Sequence, residues 1–598
     1  MEFKNMIRSV ISRRLKMLMF IPVVLLIILT AVSCNAQNNL ISKAKLIGYW
    51  KLRGDSKDYS GMGNDGINHG VVLSKGVDAI FSGDSAYIEV PDNKTLKFGS
   101  DDFSMSVWVK VDKGARVGGD IINKFDDSLR KGLNFHILSS SSAYSGPSDS
   151  RNVFFGIDDA KEGEWIDCGR PLATNNLISL FIVYKNQLYA GVAGATDPNN
   201  ARGMFRYDGD GKWVDCGRPM EDRNTQSIMC GVVFNGDIYV GTGKWDYYDQ
   251  ETAGKAAGVY KYLGGTKWEE YGKFPLGKKR IHSMSAYNGT LYVNDDQGET
   301  YSYDTLNNKW KLEHKLKNYK LISSSVYRDQ LFNGSSTTIW KLDKNGNWDT
   351  VGKFNSMYIT QTHTFETYKG QLYGGTWSNG YIIRYISDGK WENRGWVGSD
   401  ETSLVETTIP YVPMRKNEIM ELTVYNGKMY AGVIPKGEVW RYDGGEKTKL
   451  IKRLVHNSDY SVDVHESWCR VPAMAVFQGN LFAGTGSARG FPTDVQKAET
   501  GKVYRWQAGQ AVTFDDDIGT EWRHITAVKG KEQLKLYIDG KLVSSSPTSA
   551  SLFNLENNSP LLIGFGSQNY FKGSIKDVRV YAGALSPGDV TSLYRGSK

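Results

Sequence analysis

Apolar and polar residues alternate along most of this chain, in short runs that end at glycine or at an Asn-Gly or Asp-Gly pair. The clearest example starts at Asn186 with NQLYAGV, continues with GMFRYDGDGKW from Gly203, and ends with VDCGRP from Val214. Alternation with a period of two predicts β-strands, and the glycines supply the turns between them. Together with the preceding apolar run ISLFIVY from Ile178, this stretch predicts a four-stranded antiparallel unit.

This unit recurs along the chain. Its Leu-Tyr-type hairpin has seven copies, spaced about 40 to 57 residues apart, a period typical of propeller blades. The copies begin at Leu188, Ile238, Leu291, Leu331, Leu372, Met429 and Leu481. The last copy lacks the tryptophan strand, but an extra one stands upstream at Trp165. We therefore predict a seven-bladed, kelch-like β-propeller over 159–511, closed by pairing Trp165–Cys168 with the last blade.

The chain on either side of the repeats has another pattern. GYWKLRGDSKDYSGMGNDG, AIFSGDSAYIEVP and FSMSVWVK precede the repeats, and EWRHITAVKGKEQLKLYIDGKLV and GSIKDVRVY follow them. These motifs resemble the laminin-G-like, concanavalin A-like jelly-roll family. Half a jelly roll would expose a sheet face and its edges, so 45–158 and 512–598 are expected to form one sandwich. The predicted fold is all-β: a discontinuous jelly-roll sandwich with an inserted seven-bladed propeller.

Charge and hydropathy change the picture at the N-terminus. The formal charge is +8, and basic residues before the apolar run MLMFIPVVLLIILTAV contribute about half of it. A charged region, an apolar region and then small residues form the order of a secretory signal, and AVSC resembles a bacterial lipobox. We interpret 1–33 as a lipoprotein signal peptide, Cys34 as the lipidated residue and 34–44 as a tether. Cleavage after Ala36 is the alternative, and a retained membrane helix is disfavoured because the run is short.

The expected location is therefore the bacterial cell envelope, with a lipid anchor in the outer membrane facing either side. The sequence contains no stripe of basic residues of the kind that binds nucleic acid. The other cysteines lack the spacing of a metal site, and a packing role is favoured over a disulfide whose pairing the sequence leaves open. They are Cys168, Cys216, Cys230 and Cys469.

A loop rich in oxygen ligands lies at Asp55–Gly66. It carries Asp55, Asp58, Asn64 and Asp65 among glycines, which suits Ca²⁺. The jelly-roll resemblance implies one structural Ca²⁺ here, with Asp577 on the closing strand as a further ligand. Asx turns in a tight loop are the alternative explanation for the same residues.

The starts of the inner blade strands form a second candidate site. Counting back from the aromatic before each hairpin places charged or polar residues at the same height in several blades, and residues two apart on a strand share a face. These residues are Arg280 and His282, Lys320, Gln361 and His363, Glu418, and Arg470. We expect them to converge on one mouth of the propeller channel.

His282, His363, Arg280 and Arg470 are therefore the candidate catalytic residues. An arginine would bind a uronate or sulfate, and a histidine would remove the neighbouring proton. Some seven-bladed polysaccharide lyases are similar in having His, Tyr and Arg in the ring. The candidate substrate-binding residues are Lys320, Gln361, Glu418 and two aromatics outside the repeat register, Trp245 and Trp377.

No nucleophile elbow, phosphate-binding loop or zinc motif is present. The favoured function is an exported, lipid-anchored protein that binds a polysaccharide, a glycoconjugate or another cell-surface partner. One alternative is a polysaccharide-degrading enzyme, either a lyase or a glycan hydrolase. The other is a structural scaffold for protein partners.

Overall fold

The structure, a computed structural model, describes most of the chain beyond the N-terminal region. The described residues are 44–112, 119–139, 144–173, 177–193, 202–219, 227–243, 257–275, 277–278, 280–317, 320–355, 358–399, 417–456, 469–487, 498–549 and 552–596. The predicted signal peptide, Cys34 and nearly all of the tether lie outside them. No helix within these ranges is both long and apolar enough to cross a bilayer.

The strands are numbered in chain order. The first eight are β1 (Lys45–Trp50), β2 (Ile67–His69), β3 (Ala79–Ser82), β4 (Tyr87–Val90), β5 (Phe103–Val111), β6 (Gly119–Asp126), β7 (Lys131–Leu138) and β8 (Asn152–Glu162). After one short strand, β9 (Ile166–Asp167), come the blades. The last strands are β37 (Ala508–Phe514), β38 (Arg523–Lys529), β39 (Leu534–Ile538), β40 (Lys541–Ser545), β41 (Leu561–Ile563) and β42 (Lys572–Ala582). A 3₁₀ turn (Lys94–Leu96) and a C-terminal helix (Pro587–Gly596) complete the described elements.

The blade strands follow in sets of four, with three in the last set. They are β10 (Leu177–Tyr184), β11 (Gln187–Ala193), β12 (Arg202–Tyr207) and β13 (Trp213–Asp215); β14 (Ser227–Phe234), β15 (Asp237–Gly243), β16 (Val259–Gly264) and β17 (Lys267–Glu270); β18 (Ile281–Tyr287), β19 (Thr290–Asp295), β20 (Glu299–Asp304) and β21 (Lys309–Lys315); β22 (Leu321–Tyr327), β23 (Gln330–Ser335), β24 (Thr338–Leu342) and β25 (Trp348–Lys353); β26 (Gln361–Tyr368), β27 (Gln371–Trp377), β28 (Tyr381–Ser387) and β29 (Lys390–Trp396); β30 (Glu418–Tyr425), β31 (Lys428–Ile434), β32 (Glu438–Gly444) and β33 (Lys447–Arg453); and β34 (Cys469–Phe477), β35 (Asn480–Ser487) and β36 (Val503–Trp506).

Two seven-stranded sheets form the sandwich, and both take strands from the two ends of the chain. One has the order β1-β42-β5-β38-β39-β40 with β3 beside β42, and the other has the order β2-β4-β41-β6-β7-β8-β37. Apolar side chains alternate inward, as at Ala79 and Phe81 on β3. The core between the sheets includes Trp50, Phe103 and Phe155. The predicted discontinuous sandwich is confirmed.

The propeller is closed by strands from opposite ends of the repeat array. β9 pairs with β36, with Ile166 opposite Arg505 and Asp167 opposite Tyr504. Trp165 stacks on Trp506 with ring centroids 5.5 Å apart. This pairing supplies the fourth strand of the seventh blade, as predicted from the extra copy upstream. The all-β class with an inserted seven-bladed propeller is therefore confirmed.

The repeated tryptophans hold neighbouring blades together. The indole nitrogens of Trp213, Trp268 and Trp391 each donate a 2.9 Å hydrogen bond to a backbone carbonyl of the preceding blade. Cys168, Cys216, Cys230 and Cys469 are all buried free thiols. Cys168, Cys216 and Cys230 pack in hydrophobic clusters of the propeller.

A loop of the sandwich enters the propeller channel, and we call residues 144–151 the channel loop. Its backbone hydrogen-bonds to three inner strands in turn. Tyr144 O accepts from Ser324 N at 2.9 Å, Gly146 N donates to Met284 O at 3.0 Å, and Asp149 N donates to Val233 O at 3.0 Å. The sandwich therefore contributes side chains to the interior of the propeller.

Candidate functional site

The inner strands of the blades bring the predicted charged residues to one end of the channel. Arg280 immediately precedes β18, and Gln361, Glu418 and Arg470 lie at the starts of β26, β30 and β34. Arg280, Glu418 and Arg470 are buried, Gln361 is half-buried and Lys320 is exposed. We call this set, with His282 and His363, the channel mouth.

Every inner strand contains a register shift at the same height. On β18 the shift falls between Ile281 and Ser283, and on β26 between Thr362 and Thr364. His282 and His363 are therefore the extra residues of two bulges. A bulge interrupts the alternation of side chains and re-aims the extra residue. The sequence count found the correct residues, although its assumption of strict alternation does not hold at this point.

His363 belongs to a short chain of polar contacts. Its Nδ1 lies 3.0 Å from Glu418 Oε1, and its Nε2 hydrogen-bonds to the Gln361 side chain. Burial raises the pKa of Glu418, but the nearby charges of His363 and Arg470 outweigh it, so the net shift of this pKa is downward. The carboxylate therefore stays ionised and orients the imidazole.

His282 lies in a more positive environment. Burial, followed by the charges of Arg280, His363 and Lys320, holds the pKa of His282 well below its usual range. Its ring is therefore neutral at pH 7. These electrostatic contacts link the two histidines, both arginines and Lys320 into one site.

Tyr144 of the channel loop lies between the two histidines. Its ring centroid is 6.3 Å from that of His282 and 5.8 Å from that of His363. The blade repeats do not point to this residue, because it belongs to the sandwich half of the chain. The polar run SSSSAYSGPSDS at 139–150 was the available signal, since a long loop inside a compact fold is often functional.

Of the two tryptophans predicted to bind sugar, Trp377 lies within the described residues. Trp377 ends β27 directly opposite Gln361 and is half-buried, which places it at the channel mouth. Trp245 lies outside the described residues. The aromatic contribution to the described mouth is therefore Tyr144 and Trp377.

The oxygen-rich sandwich loop is held by its own side chains. The Asp58 carboxylate accepts hydrogen bonds from the backbone N–H groups of Tyr49, Ser60 and Asn64. Asp65 accepts from Asp58 N, and Asp55 accepts from Lys57 N and the Tyr59 hydroxyl. Burial raises the pKa of Asp58, but the hydrogen bonds that its carboxylate accepts from Asn64, Ser60 and Tyr49 outweigh burial. The net shift of the Asp58 pKa is therefore downward.

Asp577 lies at the other end of Tyr49, whose hydroxyl donates to it at 2.8 Å. Across the described ranges, no group of three or more His, Cys, Asp or Glu side chains could hold a metal ion. Asx-type turns account for the contacts seen, and calcium binding by Asp55, Asp58, Asn64, Asp65 and Asp577 stays a prediction.

Comparison with known proteins agrees with the sandwich assignment. Residues 443–591 match a family described as the Concanavalin A-like lectin/glucanases superfamily. The matched stretch contains the C-terminal sandwich strands together with the last propeller strands. No curated protein matches the sequence. The C-terminal half of the sandwich is therefore similar to this superfamily, and the match assigns no specific ligand.

Several solved structures are similar in part. The extracellular domain of BT4673 from B. thetaiotaomicron is 18% identical, with a TM-score of 0.40, over 55% of this chain and 39% of that one. The chain thus spans about two fifths of that domain. U3-55K is 10% identical, with a TM-score of 0.38, over 57% of this chain and 98% of that one. YCF48 from Cyanidioschyzon merolae is 11% identical, with a TM-score of 0.36, over 58% of this chain and 99% of that one.

Proposed function

We propose that the protein binds an acidic saccharide at the channel mouth. The observation that carries this proposal is the charge of the mouth, where Arg280, Lys320 and Arg470 outnumber the carboxylates. Glu418 is paired with His363, and the Asp296 carboxylate accepts from Arg280 N at 3.4 Å. Buried arginines bind carboxylate and sulfate groups through several directed hydrogen bonds. The excess positive charge therefore favours an anionic ligand.

The aromatic residues support a sugar rather than a simple anion. Tyr144 lies in the wall between the histidines, and Trp377 stands beside Gln361 at the mouth. Aromatic rings stack on the apolar faces of sugars while neighbouring polar groups bind the hydroxyls. The lectin-type superfamily of the sandwich is compatible with this class of ligand.

The binding proposal is tested with the full chain and a panel of polysaccharides. Isothermal titration calorimetry should detect uronate-containing or sulfated polymers but not neutral ones, with affinity falling as salt rises. Arg470→Ala and Arg280→Ala should each weaken binding by about 10-fold or more, since each removes a charged hydrogen-bond donor.

Arg384→Ala is the matched control for these variants. Arg384 pairs with Glu392 at 2.7 Å on the outer strands of the fifth blade, away from the channel. Its loss should leave affinity unchanged. Equal binding of neutral polymers, or full affinity in both mouth variants, would refute the proposal. If the chain binds none of these polysaccharides but does bind a protein partner, the scaffold alternative is favoured.

A second candidate function, β-elimination of the same acidic polymer, is favoured by the placement of Tyr144 between His282 and His363. A base would take the proton beside the uronate carboxylate, the electron pair would form a carbon–carbon double bond, and the bond to the leaving sugar oxygen would break as that oxygen takes up a proton. Hydrolysis is less well supported, because it ordinarily uses two carboxyl groups as acid and base or nucleophile, and the Glu418 carboxylate is already held by His363.

A turnover assay distinguishes the lyase reaction from binding without catalysis. Growth of unsaturated-product absorbance that disappears in His282→Ala, His363→Ala and Tyr144→Phe would establish a lyase. Binding without any such growth leaves a binding protein.

The proposal also includes export and lipid anchoring at Cys34, supported by the order of the N-terminal segments and by the AVSC motif. Fractionation of cells that express the full chain should place it with membranes. Cys34→Ala should release it, whereas retention of that variant would exclude the anchor.

A further inference from the structure

A cavity of about 100 Å³ lies where the sandwich meets the first two propeller blades. Three segments line it: the end of the channel loop with the start of β8, the blade turns at Tyr184 and Gly236, and the residues just after β37. The polar residues lining it are Asp149, Ser150, Asn152, Lys185, Asp515, Asp516 and Asp517. A buried water needs only about 10–15 Å³, so the cavity has room for an ion with several water molecules.

Two buried side chains of this cavity have no hydrogen-bond partner among the described residues. Asn152 is 1% exposed and Ser150 is 5% exposed. Both amide atoms of Asn152 and the hydroxyl of Ser150 have no partner among the described residues. A buried polar group without a partner is costly, so a native protein usually satisfies it with a ligand or with water.

The acidic residues of the cavity are only partly used by the protein. Both side-chain hydrogen bonds to Asp515 go to Oδ2, from Gln478 N and the Thr513 hydroxyl. Within the described chain, the Asp516 carboxylate accepts only from the next backbone N–H, whereas Asp517 is engaged by Arg151. Lys185 brings a positive charge to the cavity lining, and its ammonium lies over the Tyr184 ring, 4.7 Å from the ring centroid.

We propose that this cavity binds one Ca²⁺ ion, which joins the channel loop to the strand that follows the propeller. Carboxylate, amide, hydroxyl and backbone oxygens are the ligands that Ca²⁺ prefers, and it accepts six to eight of them in irregular geometry. No three acidic side chains of the described chain converge on one point. The ligand set therefore combines at most two carboxylates with Asn152, Ser150, backbone carbonyls and water.

A site with so few carboxylates should be weak. Extracellular calcium modules of this kind bind with dissociation constants of about 10⁻⁴–10⁻³ M. In 10 mM Ca²⁺, the EDTA-treated full chain should therefore unfold about 1–2 °C higher than without it, because the ion binds only the folded state. Calorimetry should give one site with such an affinity, and Mg²⁺ should have little effect because it demands regular octahedral geometry.

Two variants test the position of the ion. Asp516→Asn removes one charge from a half-buried carboxylate with one local hydrogen bond, and it should weaken Ca²⁺ binding about 10-fold. Asn152→Leu replaces the unpartnered amide with an apolar group of similar size. It should remove the Ca²⁺ response while leaving the Ca²⁺-free protein as stable as before or more so.

Asp58→Asn, in the oxygen-rich sandwich loop, is the matched control. Ca²⁺ should still raise the unfolding temperature of this variant as it does in the wild type. Loss of the Ca²⁺ response in Asp58→Asn with full retention in Asp516→Asn and Asn152→Leu would move the ion to the sandwich loop and overturn the proposal. Absence of any Ca²⁺ response in the EDTA-treated protein would also overturn it, with water and Lys185 then satisfying the cavity.

Discussion

The mouth and the interior of the propeller channel are lined by the same inner strands, but their buried glutamates behave in opposite ways. Glu418 and Glu421 lie three residues apart on β30 and are 7% and 1% exposed. The net shift of the Glu418 pKa is downward, whereas burial and the nearby charge of Glu366 raise the pKa of Glu421 well above its usual range. Burial alone therefore does not decide the charge of these side chains.

The difference lies in their partners. Glu418 has His363 at 3.0 Å and the charge of Arg470 nearby. Glu366 and Glu421 have no ion pair with any described residue, and burial raises the pKa of Glu366 to about 8 despite hydrogen bonds from the backbone N–H groups of Thr367 and Val424. A carboxylate in a low-dielectric interior stays charged only where a cation or several donors face it. The mouth supplies these partners and the interior does not.

The channel loop contacts both regions, with Tyr144 beside the mouth histidines and Pro147 lining the same pocket as Glu366. Displacing this loop should therefore have the largest effect. A Cβ added at Gly146 would overlap Ser285 Oγ and lie 3.4 Å from Ser325 Cα. We expect Gly146→Val to destabilise the protein by about 3 kcal/mol, as overpacking does, and to weaken saccharide binding because Tyr144 moves. Thermal unfolding and calorimetry measure the two effects.

Gly163→Ala is the control for this substitution. The nearest heavy atom to a Cβ at Gly163 is Gln507 O at 3.4 Å, an ordinary contact. Unchanged stability and affinity in Gly146→Val would show that the loop does not support the mouth.

Glu366→Gln should change how the stability of the protein depends on pH. Because the folded-state pKa of Glu366 is raised to about 8, folding takes up a proton between about pH 4.5 and 8, so this residue lowers stability as pH rises through that window. The glutamine variant lacks this loss. It should match the wild type at pH 5 and exceed it by about 2 kcal/mol at pH 9.

Glu299→Gln serves as the comparison of opposite sign. Burial raises the pKa of Glu299, but Lys278, Lys315 and the Tyr301 hydroxyl outweigh it and lower the pKa to about 2. This variant should be less stable at pH 7, and the deficit should vanish as pH falls towards 2. The same pH dependence in both glutamine variants would contradict the opposite pKa shifts of Glu366 and Glu299.

Glu418→Gln should have the smallest effect. The depressed pKa of Glu418 means that the interactions of its carboxylate with His363 and Arg470 stabilise the fold above its unfolded-state pKa and are lost as pH falls through the folded value. Glutamine can still accept a hydrogen bond from His363, so we expect a loss of about 1 kcal/mol at pH 7. The difference from wild type, measured by thermal unfolding, should disappear in acid; an unchanged difference at low pH would exclude the ion pair as its cause.

Local pattern alone determined most of the architecture. Alternation, Asn-Gly turns and the spacing of hairpins placed all seven blades, and the extra tryptophan strand at Trp165 predicted the ring closure with β36. Counting back from the hairpins also placed His282 and His363 at one mouth, because every blade has the same bulge and the count is therefore the same in each.

What surrounds those residues depends on the tertiary structure. Tyr144 reaches the mouth from the sandwich, and the junction cavity joins Asn152 to Asp515, more than 350 residues later in the chain. Nothing near Glu366, Glu418 or Glu421 in the sequence indicates which of them meets a cation. Strand periodicity depends on neighbouring residues and is visible in the sequence, whereas burial, ion pairing and unpartnered polar groups depend on which distant segments the fold brings together.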